Sequence, residues 1–311
     1  MNKDLKPGYR YIKCNLCGGD RQTVYAVNDS EDKYILHRIR VRCPKCGLVY
    51  SNPQATEEKM AEFYSQAYPE MLGAIDIIDD ETFFLDPPCS GRKQMKPGRF
   101  LDVGCAYGFR VKTAQRLGWE AYGVEVSTQF CDYARNTLGL RHIFNGALFE
   151  AHHLSSFFDY IILWHVLEHV PDPARLLKEI ERILKPGGIL IIGVPNIGEP
   201  LYQVSRAGCW LKRKPYGMAT TDHHTYEFTP ATLRRAIKKN CPSFKINNLK
   251  VFYSDKEMEL LGGESANLKQ RAVVNISKFL SRILRDRVGS LISMTCIKGN
   301  ENSDFTCGGN L

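Results

Sequence analysis

The sequence predicts an α/β protein in which a mostly parallel sheet carries helices on both faces and follows a small metal-bound lobe. Three observations lead to this prediction. From Arg99 onward, apolar runs of strand length alternate with stretches of helical spacing. The first run, RFLDVGCAYGF over residues 99–109, ends in a bend rich in small residues. Two Cys-x-x-Cys-Gly pairs stand within the first 50 residues.

Composition bounds the class of protein. A chain of 311 residues can hold two domains, and its hydrophobic fraction of 43% and charged fraction of 24% are ordinary for a globular protein. No uncharged apolar run reaches membrane-spanning length, and the first residues lack the apolar core of a signal peptide. We therefore expect a cytoplasmic protein without integral membrane association, either a monomer or a homodimer. The scattered net charge of +8 is compatible with an anionic small-molecule acceptor and is not by itself a nucleic-acid footprint.

The paired cysteines predict a structural zinc ion. Eleven cysteines in a chain of this length, without a secretory signal, indicate reduced thiols, some of them bound to metal. Each of the two Cys-x-x-Cys turns is followed by a glycine, which lets the backbone bend back toward a metal. Four thiolates suit tetrahedral zinc with no open position for catalysis. Four unrelated thiols are the alternative, and the repeated spacing argues against it. We predict a zinc ribbon over residues 1–52, with Cys14, Cys17, Cys43 and Cys46 as ligands.

A helical lid and a linker are predicted over residues 53–98. Asn52-Pro53 ends a strand, Thr56 can cap a helix, and residues 57–68 have helical apolar spacing. Turn residues follow and lead into the next domain. Tyr64 and Tyr68 on this helix either close over a bound ligand or pack in the core.

The central domain is predicted from its alternating elements. The strand runs are FLDV, AYGVEV, RHIF, FDYIILW and ILIIGV, and the helical stretches include VKTAQRLG, TQFCDYARNTLG and ARLLKEIERILK. Ligands bind at the carboxyl ends of such strands, where residues 104–108 fall. The Gly-Lys-Ser/Thr ending of a phosphate-binding loop is absent, and so is the Gly-x-Gly-x-x-Gly dinucleotide fingerprint.

The loop instead has small residues at every second position, Gly104, Ala106 and Gly108, after Asp102. This pattern resembles the first motif of the class I S-adenosylmethionine-dependent methyltransferases. The run FDYIILWHVLEHVPDPARLLKEIERILKPGGILIIGVPN resembles the fourth strand, following helix and fifth strand of that family. DHHTYEFTPATLRRAIKKN resembles the His-x-x-x-Phe-Thr-Pro segment of a subgroup that modifies small molecules. The matches cover most of residues 14–253.

The resemblance implies a Rossmann-like seven-stranded sheet over residues 99–299, mostly parallel, whose last strand, within 290–299, is antiparallel. It also implies a substrate-pocket insertion at 197–224, a helical insertion at 255–288 and a disordered tail at 300–311. S-adenosylmethionine is the implied cofactor, and Glu125 is expected to take its ribose hydroxyls. Ala147 stands where the family often has an acid that contacts adenine, so Leu148 should pack there. The full cofactor set is Asp102, Gly104, Cys105, Ala106, Gly108, Glu125, Val126, Ala147, Leu148, Trp164 and Tyr64.

The candidate catalytic groups are His224, His169, His165 and Glu168. The run from His165 to His169 matches the inverted zinc-protease pattern His-x-x-Glu-His, but it follows a strand directly and stops at Pro171, which argues against a peptidase. In the methyltransferase frame it ends the fourth strand, where some relatives carry Glu-x-x-Glu-His and hold a divalent ion. His224 best matches the pocket histidine of the subgroup. An imidazole suits removal of the acceptor proton near neutral pH. Alternatively, Glu168 and His169 only hydrogen-bond the loop.

The function expected from these features is methyl transfer to oxygen or carbon of a small biosynthetic acceptor of the sugar, quinone or secondary-metabolite type. An RNA-modifying methyltransferase that uses its zinc ribbon to bind nucleic acid is the alternative. Basic residues are not interleaved with aromatic ones in the ribbon, which argues against it. The intact loop and Glu125 argue against a non-catalytic binding module.

Overall fold

The computed structural model describes residues 5–28, 36–67, 96–211, 223–253 and 288–299. Tyr68, the tail at 300–311 and all but the last residue of the predicted helical insertion at 255–288 lie outside these ranges. Within them, no helix combines the length and the apolar character needed to cross a membrane.

Thirteen strands and six α-helices make up the described part of the chain. The strands are β1 (Tyr9–Arg10), β2 (Thr23–Val27), β3 (Ile39–Arg42), β4 (Val49–Ser51), β5 (Gln54–Ala55), β6 (Arg99–Val103), β7 (Glu120–Glu125), β8 (Ile143–Asn145), β9 (Phe158–Trp164), β10 (Leu184–Pro195), β11 (Tyr226–Glu227), β12 (Phe244–Phe252) and β13 (Leu291–Lys298). The helices are α1 (Glu57–Glu62), α2 (Phe109–Arg116), α3 (Thr128–Asn136), α4 (Pro173–Ile183), α5 (Pro200–Leu211) and α6 (Pro230–Asn240).

The central sheet has seven strands in the order β12-β13-β10-β9-β6-β7-β8. Strand β13 is antiparallel to both of its neighbours, and the pairs among β10, β9, β6, β7 and β8 are parallel. The predicted Rossmann-like sheet with an antiparallel last strand is thereby confirmed. Strand β9 lies in the middle, and its residues 161–163, Ile-Ile-Leu, are fully buried. A strand covered on both faces needs such a continuous apolar run, and each of these side chains contributes roughly 1.5–3 kcal/mol on burial.

Local sequence sets where helices α4 and α6 begin. Asp172 caps α4 by accepting a hydrogen bond from the backbone N–H of Arg175 (3.1 Å), and Pro173 occupies the first helical position. Thr229 caps α6 in the same way, through the N–H of Thr232 (3.2 Å). Both caps follow loops that line or support the site, so the caps fix where those loops end.

The N-terminal lobe is joined to the central domain by a shared sheet. Strands β2, β3 and β4 form an antiparallel sheet whose fourth member is β11, from far along the chain. Strands β1 and β5 form a separate pair. Arg235 on α6 donates to the carbonyl of Cys46 (2.8 Å), and Lys239 donates to the carbonyl of Leu16 (2.8 Å). The lobe is therefore packed against the domain that follows it.

The segment after β5 differs from the continuous helix predicted over residues 57–68. Thr56 caps it as expected, accepting from the N–H of Lys59 (3.4 Å). The α-helix ends at Glu62, and the chain continues as a π-helical turn over Phe63–Ala67. Phe63 is buried with Met60, and the neighbouring Tyr64 reaches toward the central sheet. In this wider turn the successive residues Phe63 and Tyr64 therefore both pack against other parts of the protein.

Candidate active site

A cavity of about 400 Å³ opens at the carboxyl ends of β6, β7 and β9, beneath helix α1. This is the edge at which parallel α/β sheets bind ligands. Its described walls come from the loops after these strands, from the loop after β8 and from the start of α4. The volume lies within the usual range for small-molecule sites.

The loop after β6 supplies one wall through Gly104 and Ala106. Both have positive φ, +72° and +46°, and Gly108 has φ +83° at the start of α2. A Cβ on Gly104 would lie 2.4 Å from Cγ2 of Val166, so this position excludes a side chain. Ala106 adopts a left-handed conformation that glycine adopts freely and that strains other residues. Gly104 therefore contributes only backbone atoms to this wall, and Ala106 adds no more than a methyl group.

Glu125 ends β7 and lines the same cavity. One carboxylate oxygen accepts the N–H of Ala106 and the other accepts the N–H of Ser127, both at 2.9 Å. Burial raises the pKa of Glu125, while these backbone donors oppose the shift. The carboxylate is thus fixed in position, and each oxygen keeps acceptor capacity for a ligand hydroxyl.

Four predicted cofactor residues are absent from the described wall of the cavity: Asp102, Cys105, Gly108 and Trp164. Asp102 is buried and pairs with Nη1 of Arg110 (3.1 and 3.2 Å). Burial raises the pKa of Asp102, and Arg110 opposes that shift. Asp102 thus connects β6 to α2, and its part in binding stays a prediction.

The other three of these residues have packing contacts. A Cβ on Gly108 would lie 2.7 Å from Cδ1 of Leu140. The indole of Trp164 covers Gly193, where a Cβ would lie 2.3 Å from Cε3 of the ring. Cys105 is buried in the core cluster on one face of the sheet. Close packing of helix, strand and ring explains these residue types at these positions.

The loop after β8 forms the far end of the cavity. The predicted residues Ala147 and Leu148 of this loop line the cavity, and so does Val126 in the loop after β7. Sequence reasoning missed Glu150, whose Oε2 accepts the N–H of Ala147 (2.7 Å). The spacing Ala147-x-x-Glu150 is that of half a capping box, which is the signal that would have indicated this fold-back.

Phe149 and Arg175 were also missed. The guanidinium carbon of Arg175 lies 3.5 Å above the centre of the Phe149 ring, and both residues line the cavity. This cation–π contact joins the start of α4 to the loop after β8. It closes the rim of the cavity on that side.

His165 and Glu168 form a pair at the end of β9. Nδ1 of His165 lies 3.2 Å from Oε1 of Glu168. The imidazole is 42% exposed and lines the cavity, whereas the carboxylate is 1% exposed. His165 has φ +56°, a left-handed conformation uncommon for residues other than glycine. A buried carboxylate that orients an imidazole at a cavity wall is the arrangement used in general-base catalysis.

Tyr64 and His169 form a second pair on the wall. The Tyr64 hydroxyl lies 2.7 Å from Nδ1 of His169, and both residues line the cavity. Burial, followed by the nearby rings of His224 and His223, holds the pKa of His169 well below its usual value. This imidazole is therefore neutral near pH 7.

His224 lies behind His169 and does not belong to the described cavity wall. Its Nδ1 is 3.3 Å from Oε1 of Glu227, and both residues are buried. His223 stacks on His169 with ring centres 5.1 Å apart. Burial, and next the ring of His224, lowers the pKa of His223 to about 3. Sequence reasoning ranked His224 first among the bases, and that role stays a prediction.

The four predicted metal ligands converge in the N-terminal lobe. The sulfurs of Cys14, Cys17, Cys43 and Cys46 lie within 4.8 Å of one another. Cys14 and Cys46 are 3.4 Å apart, and Cys17 and Cys43 are 3.5 Å apart. Tetrahedral zinc with Zn–S bonds of about 2.3 Å requires sulfur separations of about 3.8 Å. The glycines that follow each pair have φ +71° and +81°, as the turn requires. The donor set therefore fits zinc.

The chain was compared with known proteins. The methyltransferase-domain family matches residues 82–240, just over half of the chain. The ubiquinone biosynthesis O-methyltransferase of Psychrobacter cryohalolentis is 28% identical over 148 residues, which is 43% of this chain and 55% of that protein. The enzyme of the same name from Aeromonas salmonicida is 29% identical over 142 residues, 44% of this chain and 59% of that protein. The chain thus spans little more than half the length of these curated relatives.

A solved structure supports the fold. One chain of a Haloferax volcanii complex that contains the Trm112 methyltransferase activator matches with a TM-score of 0.51 at 14% identity. The match covers 78% of the chain described here and 98% of that chain. Because the family match spans half of the sequence and the sheet order and antiparallel last strand agree with it, the chain belongs to the class I S-adenosylmethionine-dependent methyltransferases.

Proposed function

We propose that this protein transfers the methyl group of S-adenosylmethionine to a hydroxyl oxygen or a nucleophilic carbon of a small-molecule acceptor. One observation carries the proposal. A single cavity brings together the left-handed loop after β6, the fixed carboxylate of Glu125 and two imidazoles at the end of β9. Glu125 can bind the nucleoside part of the cofactor, the loop after β6 can contact its methionine part, and the imidazoles can remove a proton from the acceptor.

Glu125 is the proposed ribose ligand. Its two oxygens are held by separate backbone N–H groups and can each accept one ribose hydroxyl. The loop at Gly104 and Ala106 would contact the methionine part through its backbone. At the other end, Leu148 and Phe149 offer an apolar surface for adenine, and the Glu150 carboxylate beside Ala147 is the proposed acceptor for its amino group. Glu150 would thereby replace the acid that is missing at position 147.

His165 is the proposed general base. The sulfonium of the cofactor supplies the electrophile, so the protein must align the acceptor and remove one proton. Glu168 fixes the imidazole of His165 through Nδ1, and this leaves Nε2 for the acceptor. The imidazole of His165 is half exposed at the cavity wall, whereas His224 is buried behind His169. Exposure at the wall favours His165 for direct proton transfer.

The acceptor class follows from the lining and from the relatives. Met60, Ala61, Val166 and Val170 form an apolar wall near the two imidazoles. Such a wall suits an aromatic or quinol-type ring that carries a hydroxyl group. The relatives named above are O-methyltransferases of ubiquinone biosynthesis, which agrees with a ring hydroxyl as acceptor. We further propose that the four cysteines hold one structural zinc ion and no catalytic one, since four thiolates leave no open position.

The test has a binding arm and a transfer arm. In the first, S-adenosylhomocysteine is titrated calorimetrically, and tight binding of NADH with none of the homocysteine compound would overturn the proposal. In the second, isotope-labelled S-adenosylmethionine is incubated with ring-hydroxyl acceptors, sugars and transfer RNA, and the methylated product is identified. Methylation of RNA and of no small molecule would refute the acceptor class.

The catalytic role of His165 has its own variants. Replacing it by asparagine should lower turnover by roughly 10²–10⁴-fold, the usual contribution of general-base catalysis. Cofactor affinity should stay unchanged, because the ribose contacts lie at Glu125. The matched control is His142→Asn, an imidazole that stacks on Tyr122 away from the cavity. Full turnover of the His165 variant would exclude it as the base.

A further inference from the structure

A cluster of three imidazoles lies behind the cavity wall. One ring nitrogen from each of His169, His223 and His224 lies within 4.8 Å of the other two. His169 and His223 are parallel, with an interplanar angle of 2°, and His224 meets them edge-on at 4.7 and 5.3 Å between ring centres. Within the described ranges, this is the second group of metal-ligating side chains after the four cysteines.

The two segments that carry these rings are tied together by the backbone. The N–H groups of Thr225 and Tyr226 both donate to the carbonyl of Glu168, at 2.7 and 2.9 Å. The hydroxyl of Thr225 donates to the carbonyl of His169 (3.0 Å). These hydrogen bonds hold the turn after β9 next to the segment that precedes β11. The three imidazoles are therefore brought together by the backbone and do not depend on ring–ring contacts.

Two of the rings have an oxygen beside their Nδ1 atom. The hydroxyl of Tyr64 lies 2.7 Å from Nδ1 of His169, and a carboxylate oxygen of Glu227 lies 3.3 Å from Nδ1 of His224. Histidines that bind a metal commonly have their other nitrogen oriented in this way by a hydroxyl, carboxylate or carbonyl group. Of these two atoms, Nδ1 of His169 is in a hydrogen bond, whereas Nδ1 of His224 is buried without a hydrogen-bond partner among the described residues.

A buried carboxylate oxygen beside the cluster is unsatisfied. Oε2 of Glu168 has no hydrogen-bond partner among the described residues, and its side chain is 1% exposed. Oε1 of the same group lies 3.8 Å from Nε2 of His169. An unpartnered buried carboxylate is costly unless a cation or a donor compensates it. A positive ion among the rings would supply that compensation.

We propose that His169, His223 and His224 form a binding site for a divalent transition-metal ion, separate from the four-cysteine site. Three imidazoles without a thiolate suit zinc, cobalt, nickel or iron(II) rather than magnesium or calcium. Metal–nitrogen bonds of about 2.0–2.1 Å place two ligand nitrogens roughly 3.3 Å apart, so ion binding would draw the rings together. It would also tilt His169 and His223 out of their parallel arrangement, because the lone pair of each nitrogen lies in its ring plane. Because His169 also lines the cavity, the ion would lie beside the acceptor and could polarise its hydroxyl. That last role rests on the proposed methyl transfer, whereas binding of the ion does not.

Cobalt spectroscopy on the full chain separates the two sites. The four-cysteine site is first filled with one equivalent of zinc, and Co²⁺ is then titrated while the absorption spectrum is recorded. The expected result is one further equivalent of bound Co²⁺ with visible d–d bands and without the near-ultraviolet bands of thiolate-to-cobalt charge transfer. No second equivalent, or a second equivalent that carries thiolate bands, would overturn the proposal. Neither outcome depends on methyl transfer.

Variants assign the ligands. His223→Asn should weaken Co²⁺ binding by more than the roughly 10–100-fold that outer partners of metal ligands contribute, and Tyr64→Phe should weaken it within that range. His142→Asn is the matched control and should bind as the unaltered protein does. Unchanged affinity of His223→Asn would refute the assignment. If that variant does not fold, electron–nuclear double resonance on the unaltered protein with Co²⁺ decides, because directly bound imidazole nitrogens give strong couplings and their absence would refute the site.

Discussion

The removal of the Glu125 carboxylate tests the cofactor site most directly. In the structure this side chain accepts two backbone N–H groups, from Ala106 and Ser127, and its remaining acceptor capacity faces the cavity. Glu125→Ala would remove the proposed bonds to the ribose hydroxyls. A single hydrogen bond to a charged group contributes roughly 1.5–3 kcal/mol, so the loss of one predicts an increase in Kd for S-adenosylhomocysteine of about 10- to 150-fold. The loss of both would exceed that range.

The substitution also frees the two N–H groups, and the loop that contains the strained Ala106 could rearrange. Calorimetric titration should therefore be accompanied by thermal unfolding of the ligand-free variant. Glu120→Ala is the matched control, because Glu120 stands at the opposite end of the same strand in an exposed pair with Arg99 (3.0 Å). Its Kd should equal that of the unaltered protein. A Glu125 variant that is less stable but binds as tightly as the unaltered protein would show that the carboxylate only supports the loop.

Three further outcomes are expected. Elemental analysis of protein purified without chelator should find about one zinc ion per chain, and Cys43→Ser should lower that content, since three thiolates bind zinc less well than four; a zinc-free preparation with full stability would contradict this. Burial, and then Arg40 and the rings of His223 and His224, holds the pKa of His37 well below its usual value. At His37 the unfolded chain then binds a proton that the folded chain does not, so this residue should contribute a fall in the free energy of unfolding of up to about 1.4 kcal/mol per pH unit below pH about 6.5, in addition to the fall from His169 and His223. His37→Asn should therefore show a smaller pH slope in denaturant titrations at pH 7 and 5.5. Ala106→Gly should raise the melting temperature, because it relieves a left-handed alanine that costs roughly 1–2 kcal/mol, less the added entropy of glycine in the unfolded chain; a lower melting temperature would mean that the alanine methyl group is held by packing.

Prediction from the sequence was most successful at positions where the residue type has a single structural explanation. The alternation of short apolar runs with helical stretches predicted the parallel sheet, because a strand buried on both faces needs a continuous apolar run such as Ile-Ile-Leu in β9. The glycines after each cysteine pair predicted tight turns, and the structure gives both a positive φ. Glu125 was expected at the end of β7 and lies there, on the cavity wall.

Less could be predicted where the position of a residue in the sequence does not determine the direction of its side chain. Asp102 and Trp164 lie at the ends of β6 and β9 beside residues on the wall, but successive side chains of a strand point to opposite faces, and these two contact an arginine and a glycine. Cys105 lies in the loop after β6, and its side chain is buried in the core. Glu150 reaches the cavity because it folds back three residues onto Ala147, a local contact that helix-length patterns do not indicate.

The convergence of the histidines was the least predictable feature. Residues 223 and 224 are more than fifty positions from residue 169, and their meeting depends on the backbone bonds between the turn after β9 and the approach to β11. The hydrophobic periodicity of a single sequence does not predict a contact between residues so far apart in the chain.

Strand β11, which completes the sheet of the N-terminal lobe, limits the exchange of this lobe between related proteins. Tyr226 is fully buried and pairs with Tyr50 of the lobe, although 176 positions separate them. A gene segment for residues 1–52 moved to another methyltransferase would arrive without its fourth strand, and a recipient lacking Arg235 and Lys239 would leave the carbonyls of Cys46 and Leu16 without these donors. Exchange of such lobes among relatives therefore requires matched changes in the second half of the recipient. We expect the lobe and the segment from residue 223 to 240 to vary together across related sequences.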